Sequence, residues 1–201
     1  MKLNPVAALA DYLAPCAIID ADHPAIVAKA AELHAAQTGP LELARASFEF
    51  VRDGIRHSWD AQQGPITLKA SEVLLAGFGY CYAKSHLLAA LLRANGIAAG
   101  PCYQRLSCGE SGPPYCLHAL NAVLLPGSGW YRIDARGNKP GVQADFTPPQ
   151  ERLAFDLRDE HEADFPLIHA APLPVVVAAL RAAPDIFWLY EHLPDLMPPP
   201  A

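Results

Sequence analysis

Cys81, His118 and Asp134 are the residues of this sequence whose types and order can do chemistry together. A cysteine attacks as its thiolate, and a free thiol is mostly protonated at neutral pH. The positive end of a helix and a nearby imidazolium both favour the thiolate. Cys81 follows Gly77-Phe78-Gly79-Tyr80 and opens a run in which Leu87, Leu88, Leu91 and Leu92 recur at helical spacing. It therefore stands at the first turn of a helix expected over 81–95. The free backbone N–H groups of that turn can hold a thiolate and, later, an oxyanion. His118 falls on an expected strand and Asp134 on the next one. Such a pair suits a base and the carboxylate that fixes its tautomer and favours its charged form.

Each of the three has a plainer reading. Cys81 reads as a small buried hydrophobe, His118 as a strand histidine satisfied by its neighbours, and Asp134 as a cap for the loop at Arg136-Gly137-Asn138. A rival constellation is zinc on Cys102, Cys108, Cys116 and His118. Its intervening stretches are 5, 7 and 1 residues long, without a CxxC knuckle. Cys108 and Cys116 are also close enough in sequence to form a disulfide. Other groups receive no chemical role. His86 faces about 140° away from Cys81 on the same helix, and His57 is expected to be solvated near a helix end. Ser85 has no nucleophile elbow around it. Arg132 and Arg136 flank Asp134 and are expected in ordinary surface ion pairs, with a substrate carboxylate as the lesser alternative, and Phe187, Trp188 and Tyr190 in the core or an interface.

The elements that must position the trio follow from periodicity. Helices are expected over 5–14, 24–37, 41–57, 70–76 and 81–95, the last stopped by Asn95-Gly96. Residues 58–70 and 107–114 read as loops. Strands are expected over 97–106, 117–125 and 130–135. Two short helices follow at 174–182 and 185–193, and Pro198-Pro199-Pro200 reads as a frayed end. Helices first and strands after give an α+β class with an antiparallel sheet.

The hairpin supplies a geometric condition. Side chains alternate along a strand. If Leu125 paired with Trp130, Asp134 would sit opposite Asn121, facing away from His118. A shift of one residue, or one bulge, turns Asp134 to the His118 side. Gly127 and Gly129 make an odd-length connection easy. The trio therefore requires an irregular hairpin.

At this point the sequence resembles a family. Ala70-Ser71-Glu72-Val73-Leu74, Gly77-Phe78-Gly79-Tyr80-Cys81-Tyr82-Ala83-Lys84-Ser85 and Leu91-Leu92-Arg93-Ala94-Asn95-Gly96-Ile97 are similar to the core of the microbial transglutaminase-like family. Phe50-Val51-Arg52-Asp53-Gly54-Ile55 resembles its preceding helix, and His118 and Trp130-Tyr131-Arg132-Ile133-Asp134 its histidine and aspartate segments. The resemblance covers roughly residues 41–136. It implies a papain-like cysteine fold, with the Cys81 helix packed on the sheet carrying His118 and Asp134. It also implies acyl transfer through an acyl-enzyme, with hydrolysis favoured over cross-linking and a peptide or small amide as substrate. Where the family often has a tyrosine after the upstream helix, this chain has Arg56-His57-Ser58-Trp59. Trp59, Tyr80 and Tyr82 are candidates for lining the substrate. A binding module that keeps the fold without the chemistry is the alternative, beside the zinc-stapled domain.

Bulk properties exclude other classes. The 201 residues suit one domain, with N-terminal helices over 1–40, the core over 41–136 and an extension over 137–201. Apolar residues make up 52%, enough to fill a core, and charged residues only 18%. The net charge is −6 and no basic stripe is present, which argues against nucleic acid. No apolar run approaches the roughly 18 residues of a membrane span. Five cysteines without an export signal fit reduced thiols in the cytoplasm. The chemistry calls for no cofactor and no catalytic metal.

Overall fold

A computed structural model describes residues 1–198 of the chain. Beyond Pro198, the end read as frayed lies outside the described residues. The N-terminus does not form the helix expected over 5–14. It holds a two-residue strand, β1 (Asn4–Pro5), and a 3₁₀ turn, Leu9–Tyr12. The buried Tyr12 hydroxyl decides this. It accepts from Val6 N and Ala7 N and donates to Ile168 O, far along the chain.

The first two helices start on proline, where a missing N–H costs nothing. They are α1 (Pro24–Ala35), capped by the His23 ring accepting from Ala25 N, and α2 (Pro40–Glu49). The helix expected over 41–57 is shorter and ends in a π-helical turn, Phe50–Gly54. Its last carbonyls, Arg52 O and Ile55 O, accept from the buried ammonium of Lys84. Next come β2 (Arg56–His57) and α3 (Ser58–Ala61), one helical turn inside the expected loop. Then follow α4 (Ala70–Ala76), β3 (Phe78–Gly79) and α5 (Cys81–Ala94).

Helix α5 is the centre of the molecule. Every residue from Cys81 to Arg93 is buried, and Leu87, Leu88, Leu91 and Leu92 are 0% exposed. Burying each such leucine contributes about 1.5–3 kcal/mol. The helix ends where the sequence indicates. Gly96 adopts a φ of +72°, Ile97 N donates to Leu92 O and Gly96 N to Arg93 O. This double bond closes the C-terminus around a residue that only glycine fits easily. Helices α1, α2 and α4 pack on one side of α5 and the sheet on the other.

The sheet is antiparallel. Its strands are β4 (Ala99–Ser107), β5 (Tyr115–Leu125), β6 (Gly129–Ile133) and β7 (Ala163–Asp164), in the order β6-β5-β4-β7. The α+β class, with the Cys81 helix on an antiparallel sheet, is the one expected. The 137–198 region is tied in rather than appended. β7 covers the free edge of β4, and β8 (Leu167–Ile168) pairs with β1. Helices α6 (Pro174–Ala182) and α7 (Ile186–Glu191) bury Val176, Leu180, Ile186 and Leu189 against Tyr82, Tyr103 and Leu117.

Candidate functional site

Cys81 is the first residue of α5 and is 4% exposed. The preceding β3 runs parallel to β2, with Arg56 beside Phe78 and His57 beside Gly79. That pairing fixes the approach to the helix. The N-cap residue, Tyr80, offers no side-chain cap, so the first-turn N–H groups keep their capacity for an anion. On the sheet side, Asn121 Nδ2 donates to Ser85 O and Tyr82 Oη to Leu117 O. These two bonds fasten β5 against the first turns of α5.

The hairpin has the odd-length connection that the trio requires. Leu125 pairs with Gly129 and Asn121 with Ile133, across the three residues Pro126–Ser128. Gly127 and Gly129 have φ of +76° and +71°. One step past Ile133, Asp134 falls opposite Leu120 and on the side of His118. His118 Nε2–H donates to Asp134 Oδ2 at 2.7 Å, and both side chains are buried. The remaining carboxylate capacity takes Arg136 N at 3.0 Å and Ala154 N at 3.2 Å. The loop-capping reading of Asp134 therefore holds alongside the histidine contact. The imidazole lines the same cleft as Cys81, and Phe155 meets its ring edge-on at 5.0 Å.

Charge follows from these contacts. Burial alone lowers the His118 pKa, but the Asp134 carboxylate and the Cys81 sulfur outweigh it and hold the imidazole at about 10. Burial raises the Asp134 carboxyl, and the facing imidazole together with two backbone N–H groups brings it below its ordinary value. The geometry thus gathers a sulfur at a helix start, an imidazole and a carboxylate behind it.

Of the other expected residues, some stand where expected and some do not. Trp59 and Tyr80 line the cleft at Cys81, and Trp59 stacks on Tyr190 with centroids 3.6 Å apart and planes 4° from parallel. Tyr82 does not line it. One position around the helix from Cys81, it is 0% exposed and faces the sheet. His57 is not solvated, because β2 carries it inward. It is 7% exposed, its ring lies 5.0 Å from that of Tyr80, and neither ring nitrogen has a hydrogen-bond partner. Burial, then Arg136, presses its pKa well below normal, so it stays neutral. Arg132 and Arg136 do form ion pairs, but buried ones: Arg132 with Glu151 and Asp164, Arg136 with Asp60. Tyr190 belongs to the cleft wall.

The zinc constellation does not assemble. Cys102 pairs with Leu120, four residues and about 13 Å along β5 from Cys116. It is 0% exposed, and burial pushes its thiol up to about 12. Among the described residues no group of three or more His, Cys, Asp or Glu side chains gathers as metal ligands. Cys108 and Cys116 are unbridged, and both line the cleft. Sequence reasoning missed His57 and the extension's contributions, Lys139, Phe155, Arg158, Tyr190 and Leu193. Only Trp59, two residues past His57, gave a signal.

A cysteine-bearing helix on an antiparallel sheet that supplies histidine and aspartate defines the papain-like, thiol-dependent class. Residues 27–135 match the family model of the transglutaminase-like superfamily, more than half of the chain, and the protein belongs to that superfamily. Among solved structures, it is similar to a "putative cysteine protease" from Cytophaga hutchinsonii, with 18% identity and a TM-score of 0.53. The match covers 64% of this chain and 42% of that one, and it shows the shared fold. It is also similar to the periplasmic domain of TgpA from Pseudomonas aeruginosa bound to ethylmercury, at 24% identity and a TM-score of 0.47, over 62% of this chain and 46% of that one. The protein thus spans less than half of either structure. No curated protein sequence matches it. Among the described residues no helix is long and apolar enough to cross a membrane.

Proposed function

We propose that this protein is a thiol-dependent acyl-transfer enzyme that hydrolyses an amide or peptide bond through an acyl-enzyme on Cys81. The observation that carries the reading is the His118 imidazole, which lines one cleft with the Cys81 sulfur and lies 2.7 Å from the Asp134 carboxylate. The raised pKa of His118 favours imidazolium beside thiolate. The sulfur attacks the carbonyl carbon, a C–S bond forms, and the π pair moves to oxygen. The first-turn N–H of α5 stabilises that oxyanion. The intermediate collapses, the C–N bond breaks, and the His118 imidazolium protonates the leaving amine. His118 then takes a proton from water, the resulting hydroxide attacks the thioester, and the C–S bond breaks to return the thiolate. Asp134 holds the ring in one tautomer throughout.

In this reading residues 137–198 act with the core as one domain by closing the cleft. Five free cysteines fit a reducing compartment such as the cytoplasm. The test is thiol reactivity. Iodoacetamide at pH 6 is expected to alkylate Cys81 far faster than the other four cysteines, and His118→Ala to abolish the preference. Equal labelling of all five cysteines overturns the enzyme and leaves a binding module with the same fold.

A further inference from the structure

The charge of the cleft wall bears on the substrate. The cleft at Cys81, about 200 Å³, is lined by Arg136, Lys139 and Arg158 and, among the described residues, by no carboxylate. The chain as a whole carries −6, so this is not a bulk effect. All three cations lie beyond residue 135, where the family match ends.

The carboxylates near these cations stand behind them. Asp60 is shared, with Arg136 on both oxygens and Lys139 Nζ on Oδ1 at 2.7 Å. Glu162 is 5% exposed and accepts from Ser107 N, Arg158 N and Arg158 Nη2. Arg105 and Asp195 neutralise each other nearby. Three cations stand against Asp60 and Glu162 in the wall, and the trio opposite them adds one negative charge, the Cys81 thiolate and Asp134 against the His118 imidazolium. The Lys139 and Arg158 side chains are 39% and 42% exposed, so their heads reach solvent at the mouth.

We infer that the acyl substrate carries a carboxylate near the scissile carbonyl, seated against Lys139 and Arg158. This rests on the Cys81 chemistry proposed above. The rest of the acyl group lies along Trp59, Tyr80 and Tyr190.

Iodoacetate and iodoacetamide test this, because both form a C–S bond with loss of iodide and they differ in charge. With an equimolar mixture at low salt, peptide mass spectrometry reads the ratio of carboxymethyl to carbamidomethyl product at Cys81. Divided by the same ratio in the urea-unfolded chain, it is expected to be about five, and to fall toward one at roughly 0.5 M salt. Lys139→Ala and Arg158→Ala each lower it, and thermal melts verify that both variants are folded. A wild-type quotient of one or less, or one unmoved by salt and by both variants, overturns the inference. Failure of the underlying chemistry reads differently. There, neither reagent would label folded Cys81 faster than the unfolded chain, and this inference would fall with it.

Discussion

His118 Nε2 and Asp134 Oδ2 lie 2.7 Å apart because Asn121 pairs with Ile133. A hairpin slipped by one residue would turn the carboxylate to the opposite side of the strand. The contact therefore depends on the three-residue connection Pro126–Ser128 as much as on the two side chains.

Asp134→Asn keeps the shape of the side chain and removes its charge. Without the carboxylate, the burial that lowers the His118 pKa is less opposed, and the imidazole falls from about 10. The thiolate–imidazolium pair should then dissolve at lower pH. The iodoacetamide rate at Cys81 is expected to drop on the order of 100-fold at pH 6. An unchanged profile between pH 5 and 10 would remove Asp134 from the chemistry.

Lys84 gives a stability signature. Burial, reinforced by Arg136, presses its ammonium down to about 7, against the pull of Asp134 and Asp53. Its value in the unfolded chain is about 10.4. Between these values the unfolded state binds more protons, so stability rises with pH; below pH 7 the full cost of the buried charge is present. Lys84→Met lacks that rise but orphans Arg52 O and Ile55 O, a cost of about 1–3 kcal/mol. Urea titrations at pH 7 and 9 should show the wild type gaining about 1–2 kcal/mol on the variant. Parallel behaviour of the two proteins would mean that Lys84 titrates normally.

Tyr190 closes the cleft from the C-terminal side by stacking on Trp59. Tyr190→Ala should cost about 0.5–1.5 kcal/mol of aromatic contact. It should also open the site, so that N-phenylmaleimide gains on iodoacetamide at Cys81 several-fold. If the ratio of the two rates stays fixed, α7 does not control access.

Much of this arrangement is legible in local patterns. The leucine period marks α5, Asn95-Gly96 its end, and Pro24 and Pro40 stand at the starts of α1 and α2. The glycines after Leu125 permit the register that the trio needs. The misreadings share a cause. The 5–14 segment has helical spacing, yet the Tyr12 hydroxyl bonds to Ile168 O across 156 residues and sets another backbone path. His57 looks like an exposed helix end until the pairing of His57 with Gly79 draws it inward.

Local pattern is enough for the helix that presents Cys81, the order of cysteine, histidine and aspartate, and the antiparallel class. These depend on periodicity and turn chemistry within a few residues of each other. Tertiary structure alone decided that Tyr82 faces the sheet, that Cys102 stands too far along β5 to join a metal site, and that Lys139, Arg158 and Tyr190 wall the cleft. Contacts between segments so distant in the chain depend on how the whole core closes, and no local pattern records them.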